Sequence, residues 1–548
     1  MKVGRNQRCP YCDSGKKFKH CHGNPMAKPP GPSPEQHALL RAQLEAQEYR
    51  RRQQQGHGRP IISAVVNGRR FVAVGTEVTA STRWNVFNEF LDDLIVRKIG
   101  PEWIAAETAK PPEAQHPIIV WRGMVRAFLA SLPRNELGYA EAKAIGAAAA
   151  YFGLAYSLYL IQHNAELLKH MLNRLRVPDQ FQGAYFELVM INCLVRAGFK
   201  IELVDETQRN QRNVELYATS PTGRRYSVEV KARAVAGALG KTAADGTPDP
   251  DPTNRIRRHL SDALNKPSHA DRMVFIDLNA ADGADGTEPP WYPRARQHLV
   301  NKERERPNDP PAYVFITNFC YHHHLNSDGT ATFICPYGFH IPDFMKAERI
   351  TLFDAYKQEQ KHADAHSIVR AMEKYTHIPT TFDGSLPSEM PGMKVERRPM
   401  IGQLYYYDPA DEDTKAVLGV GLDAFSGIVT TAIASKEAMC FYFSVRRDDG
   451  REFTLTQTMS DRQLHEWEQY KETYFGVVQH VGKGNCSPHE MFEFFVRNYR
   501  NAPRTKLEEH MKSAPDIEEL KKLSDEDLLL RYCERLVGAM KVKNPDWS

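Results

Sequence analysis

NVELYATSPTGRRYSVEVKAR, residues 213–233, is the stretch from which the rest of the chain can be ordered. It reads as two short strands, 214–219 and 226–233, joined by a turn that Pro221 and Gly223 favour. Strand side chains alternate, so Val214, Leu216 and Ala218 share one face, as do Val228, Val230 and Ala232. If those apolar faces meet one core, Glu215, Glu229 and Lys231 gather on the opposite side. Two carboxylates and an ammonium on a rigid hairpin suit a hard divalent cation and a polarised water.

Working outward, residues 181–197 (FQGAYFELVMINCLVRA) predict a helix with Glu187 on its apolar stripe, beside Gly183, Ala184, Met190, Ile191 and Leu194. A carboxylate there is costly to bury without a partner or metal. Residues 200–204 predict a strand that ends just before Asp205, a rival to Glu215 as an acidic ligand. After the hairpin comes a Gly-, Pro- and Asp-rich loop, then a helix from about residue 253 carrying Arg255, Arg257, Arg258, His259 and Lys266 around an Ile256, Leu260, Leu264 stripe. Segments 273–278 (MVFIDL) and 312–317 (AYVFIT) are continuous enough to be buried central strands.

The E-x-K of Glu229 and Lys231, after an acidic strand and in this order of elements, resembles the PD-(D/E)XK nuclease superfamily with its restriction-endonuclease-like fold. The resemblance covers residues 178–345, and departs from the family in having Glu215 after Val214 where the first metal ligand is usually Asp after Pro. It implies that Glu215, Glu229 and the Val230 carbonyl hold Mg²⁺ or Mn²⁺. Lys231 would act on the attacking water and the phosphoryl oxygens, with Glu187 supporting the metal shell. Arg255, Arg257, Arg258 and Lys266 would hold a nucleic-acid backbone without reading its sequence. The expected activity is phosphodiester hydrolysis, on DNA before RNA, in a role such as defence against foreign DNA. A homodimer would suit cutting of both strands. The alternative is a nuclease-like domain that binds nucleic acid or protein without cleaving.

Near the start, VGRNQRCPYCDSGKKFKHCHG (residues 3–23) resembles the SEC-C zinc motif, with Cys9, Cys12, Cys21 and His22 as ligands and a C-x-x-C spacing one residue longer than the common form. Three thiolates and an imidazole make a closed, structural Zn²⁺ site. The metal would supply the folding energy of so short a module. Basic residues at 16–20 make it a candidate contact for phosphates or an acidic protein partner.

The remainder sets the frame. The 548-residue length calls for several domains, and 41% hydrophobic with 26% charged residues excludes a disordered chain. A net charge of +4 excludes a generally polybasic binder, so any basic surface is local. Nine cysteines spread along the chain, with a polar start, point to a reducing, cytoplasmic setting. Residues 144–161 lack charge but are mostly Ala, Gly and Tyr, which predicts a buried helix and no membrane span. The expected class is multidomain α+β. It comprises a zinc knuckle (1–23), a linker and polar helix (24–58) and a hairpin plus helical domain (59–177). The nuclease-like α/β core with a mixed sheet (178–345) and a C-terminal α+β domain (346–548), a candidate partner module, complete it. Cys320, His322, His323, His324, Cys335 and His340 form a second group of soft ligands, and a turn at Asp328-Gly329 predicts Cys320 close to Cys335.

Overall fold

The computed structural model describes residues 6–10, 15–21, 33–134, 142–203, 216–235, 239, 251–281, 287–329, 332–346, 350–389, 396–417, 422–479 and 486–543. Two compact units emerge, Met1–Arg50 with Lys394–Val481, and Arg51–Met393 with Gly482–Ser548. The chain is a multidomain α+β protein with mixed and antiparallel sheets. Helix α1 (Pro34–Gln55) opens on a capping box, Ser33 Oγ accepting from the Gln36 amide at 3.2 Å and Gln36 Oε1 from the Ser33 amide at 2.8 Å. The larger unit then folds β1 (Ile62–Val66), β2 (Arg69–Val74) and β3 (Glu77–Ser81) into an antiparallel sheet. Its first turn is at Asn67-Gly68, where both residues have positive φ.

Helices α2 (Phe87–Ile99), α3 (Pro101–Thr108), α4 (Pro117–Ser131), α5 (Gly146–Ile161), α6 (Ala165–Leu175) and α7 (Pro178–Arg196) follow. Every residue of α5 is buried, which explains its lack of charge; no helix among the described residues is long and apolar enough to cross a membrane. Some of the polar groups inside this bundle are paired. Asp92 takes Arg122 at 2.8 Å and the Tyr151 hydroxyl at 2.6 Å, and Asn192 of α7 donates to Ser157 of α5 at 2.8 Å.

The central sheet runs in the order β4 (Lys200–Leu203), β5 (Leu216–Thr219), β6 (Arg225–Ala232), β7 (Asp271–Asp277), β8 (Ala312–Phe319) and β9 (Thr332–Phe339). The chain connects them through α8 (Ile256–Leu264) before β7 and α9 (Trp291–Glu305) before β8. Pairs β6–β7 and β7–β8 are parallel and the others antiparallel. Helix, three strands, helix, strand, helix, strand is the order expected from residues 178–320.

Alternation gives the sheet two buried faces. Tyr226, Val228 and Val230 of β6, with Phe275 and Phe315, face a core shared with α5 and α7. Val274, Ile276, Val314 and Ile316 face a second core with α8 and α9. The expected boundary at 177/178 therefore separates no compact bodies, because one hydrophobic core runs through the helices and the sheet. The boundary at 345/346 dissolves likewise. Helices α10 (Leu352–Lys361) and α11 (Ala363–Glu373) belong to the same unit, where Arg196 of α7 donates to the carbonyls of Lys374 and Tyr375 at 2.9 and 3.3 Å.

The smaller unit carries an antiparallel sheet ordered β10 (Leu404–Tyr407), β12 (Phe425–Ser435), β13 (Cys440–Arg446), β14 (Glu452–Thr458) and β11 (Thr414–Ala416), followed by α12 (Asp461–Tyr470). The turn between β13 and β14 ends at Gly450, which has positive φ. Back in the larger unit, α13 (Pro488–Tyr499), α14 (Arg504–His510), α15 (Ile517–Leu520) and α16 (Asp525–Lys543) form a small apolar cluster with α10. The capping boxes at Ser460/Gln463 and Ser487/Glu490 are both formed.

Candidate active site

Strand β6 sits mid-sheet and places Glu229 beside Val274, and Lys231 beside Ile276, on the face covered by α8. The side of the hairpin expected to collect charge is thus not a solvent face: Glu229 is only 3% exposed. Its Oε2 accepts from Lys231 Nζ at 3.0 Å and from Lys266 Nζ at 2.7 Å. Lys266 stands just past the end of α8, whose Ile256, Leu260 and Leu264 pack on the sheet and so bring the lysine back over β6. His259, also on α8, has a buried Nε2 with no hydrogen-bond partner among the described residues. Burial first, then the Lys231 charge, holds its pKa below the usual imidazole range.

The other expected residues are distributed differently. Glu215, with Asp205, lies outside the described residues; the described ladder ends at Leu216 opposite Val228. Glu187 is buried on α7, which packs against the Val228 face of the sheet, and its carboxylate is paired with Arg174 of α6. Among the described residues the structure brings Glu229, Lys231 and Lys266 together, and carries Glu187 on the far side of the sheet. Arg257 is taken by Glu305 of α9, Arg258 stands 3.9 Å from Asp262, and Arg255 is exposed. These three arginines line the outer side of α8 and do not join Lys266 at Glu229.

At the N-terminus, Cys9 is buried and Cys21 half-buried. A bridge between Arg8 and Lys17 and the bond from the Cys9 amide to the Lys16 carbonyl at 2.9 Å fold the segment back on itself. Cys12 and His22 lie outside the described residues. Cys320 and Cys335 are not neighbours. Cys335 pairs with Ile316 across the β8–β9 ladder, four residues before Cys320, which is about 13 Å along a strand.

A second polar cluster, which joins His322 and His323 of the expected soft-ligand group to Asp277 and Asn279, not singled out from sequence, lies at the C-terminal ends of β6, β7 and β8. Such ends are where open sheets with parallel strands form their crevices. The buried Asp277 accepts from Thr317 Oγ1 at 3.0 Å, the Phe319 amide at 3.2 Å and the Asn279 amide at 3.1 Å. Burial outweighs these neutral donors and pushes its pKa up to about 7. Asn279 adopts φ +46, and its Oδ1 lies 2.7 Å from His322 Nε2 and 2.9 Å from His323 Nε2. Both imidazoles then carry hydrogen on Nε2, and the buried Nδ1 of His322 has no partner among the described residues. Burial, followed by the neighbouring His323, holds His322 well below the ordinary histidine range, so it is neutral near pH 7. Gln182 of α7 clamps the strand exit through both backbone groups of Val235, at 2.7 and 3.1 Å. The signal in the sequence was the polar D-L-N ending of an otherwise apolar strand, answered by the His run after β8.

Chemically, the β6–α8 site is a buried carboxylate held by two ammonium groups, with a neutral imidazole close by. Comparison with protein-family models, with curated proteins and with solved structures finds no match to this chain.

Proposed function

We propose that this protein is a metal-dependent nuclease acting on DNA, with its active site at the β6–α8 interface. The observation that carries the reading is the pairing of Glu229 with Lys231 on a central strand of a mixed sheet, inside the helix and strand order of α7 to β8. Carboxylate oxygens of Glu229 and Glu215 with the Val230 carbonyl are hard donors of the kind Mg²⁺ or Mn²⁺ takes. When bound, the ion supplies a polarised water and neutralises phosphoryl charge.

The chain's own groups do the rest. Lys231 is fixed by Glu229 and offers its ammonium to developing negative charge on the phosphoryl oxygens. Lys266 adds a second cation at the same carboxylate, so the site keeps a net positive charge for a phosphate. Glu187 with Arg174 supports the opposite face of the sheet in this reading, and the exposed arginines of α8 hold the backbone of the strand. The N-terminal Cys9, Cys12, Cys21 and His22 would hold a structural Zn²⁺ in this reading.

A second reading, nucleic-acid binding without cleavage, draws on the depth of Glu229 beneath α8. The test incubates linear, circular and single-stranded DNA, and RNA, with Mg²⁺, Mn²⁺ or chelator. Metal-dependent cleavage that vanishes in Glu229→Gln and Lys231→Ala upholds the nuclease reading. Wild-type protein that binds DNA yet leaves it intact under every condition replaces it with the second.

A further inference from the structure

The larger unit is discontinuous, leaving off after Met393 and resuming at Gly482. Its first helix on resuming, α13, packs on α10 from before the departure. At that contact His489 and Glu493, four residues apart and so on one face of α13, meet Glu359 of α10. His489 Nε2 is 3.3 Å from Glu359 Oε2 and 3.9 Å from Glu493 Oε1. One donor atom from each of the three residues lies within 4.8 Å of the others, the one such group among the described residues.

Around a tetrahedral zinc with bonds of roughly 2.0–2.2 Å, neighbouring donors sit roughly 3.3–3.6 Å apart. The His489–Glu359 spacing already has that value, and Glu493, 3.9 Å from the same imidazole, moves inward to complete the set. Arg370 of α11 donates to Glu359 Oε1 at 3.0 Å, which turns the other oxygen toward the imidazole, as an outer-shell partner does. The side chains of His489 and Glu493 are 39% and 41% exposed, so an ion reaches them from solvent. A neutral imidazole with two carboxylates favours zinc over magnesium or calcium, which seek all-oxygen shells.

We infer that Glu359, His489 and Glu493 form a zinc site that clasps α10 to α13 and so closes the discontinuous unit. Without metal the same contact is a hydrogen bond between the imidazole and the Glu359 carboxylate, at 3.3 Å. Full-length protein stripped of metal is titrated with zinc chloride by calorimetry, beside His489→Ala, Glu493→Gln and Cys9→Ser. The clasp predicts one zinc fewer per chain in His489→Ala, binding at least tenfold weaker at this site in Glu493→Gln, and the clasp zinc retained in Cys9→Ser. Zinc should raise the wild-type Tm by about 2–4 °C and leave that of His489→Ala unmoved, with matching circular dichroism of the metal-free proteins as the folding control. Equal zinc uptake and equal affinity in wild type, His489→Ala and Glu493→Gln would overturn it.

Discussion

Asp277→Asn separates the electrostatic from the hydrogen-bonding role of the buried carboxyl at the strand ends. The folded pKa of about 7 stands well above the roughly 3.9 of an unfolded aspartate. The folded state therefore binds the extra proton between those values. The stabilisation from this group is fully present below about pH 4 and is lost as pH rises through 7. Integrated from pH 5 to pH 8, the loss is roughly 2–3 kcal/mol. Asparagine cannot ionise, so this dependence disappears. It does bring a fixed cost: its carbonyl can still accept from Thr317 and Phe319, but its amide then faces the Asn279 N–H, donor against donor. One such orphaned pair costs about 1–3 kcal/mol. The variant should be the weaker protein at pH 5, and the gap should close or reverse by pH 8. Urea unfolding followed through tryptophan emission suits the measurement, since Trp84, Trp121 and Trp291 are all buried in this unit. If the difference between the two proteins stays within about 0.5 kcal/mol across that range, Asp277 is not the protonated group described.

Four further outcomes are expected. Gly146→Ala should destabilise by about 2–3 kcal/mol or more, because a Cβ there meets the His324 and Tyr321 carbonyl oxygens at 2.3 and 2.6 Å. Gly123→Ala, where nothing lies within 4 Å inside α4, should stabilise by roughly 0.5–1 kcal/mol; thermal melts of the pair check both. Ser487→Ala removes the side-chain half of the α13 capping box and should cost about 1 kcal/mol, read as a drop in Tm and faster amide exchange in the first turn. Cys9→Ser should lower the zinc content of the purified protein by one ion, measured by elemental analysis, with the larger unit still folded.

The main lines of the fold were legible wherever local chemistry was strong. The apolar runs in β7 and β8 announced central strands, and the Ile256, Leu260, Leu264 stripe announced α8. The alternation in β6 was also read correctly, with Val228 and Val230 inward and Glu229 opposite. What periodicity could not reveal was that α8 covers that opposite face, because nothing local to VEVKA says what packs over it. Domain limits failed for a related reason. The expected element pattern changes at 177 and 345, but the core joining α5, α7 and the sheet is made by contacts distant in sequence. The Asp277, Asn279 and His322 cluster was hidden similarly, since its members meet only once β7 and β8 align.

Helix α5 has a consequence for biosynthesis. Gly153 brings it against the ring of Tyr375, which leaves the ribosome about 210 residues after Ile161. At ~5–20 residues per second the nascent chain leaves the Tyr375 side of this uncharged, Ala- and Tyr-rich helix uncovered for roughly 10–40 s. During that interval the helix is a natural client for a holdase chaperone, and slowing translation downstream of it would lengthen the exposure in proportion.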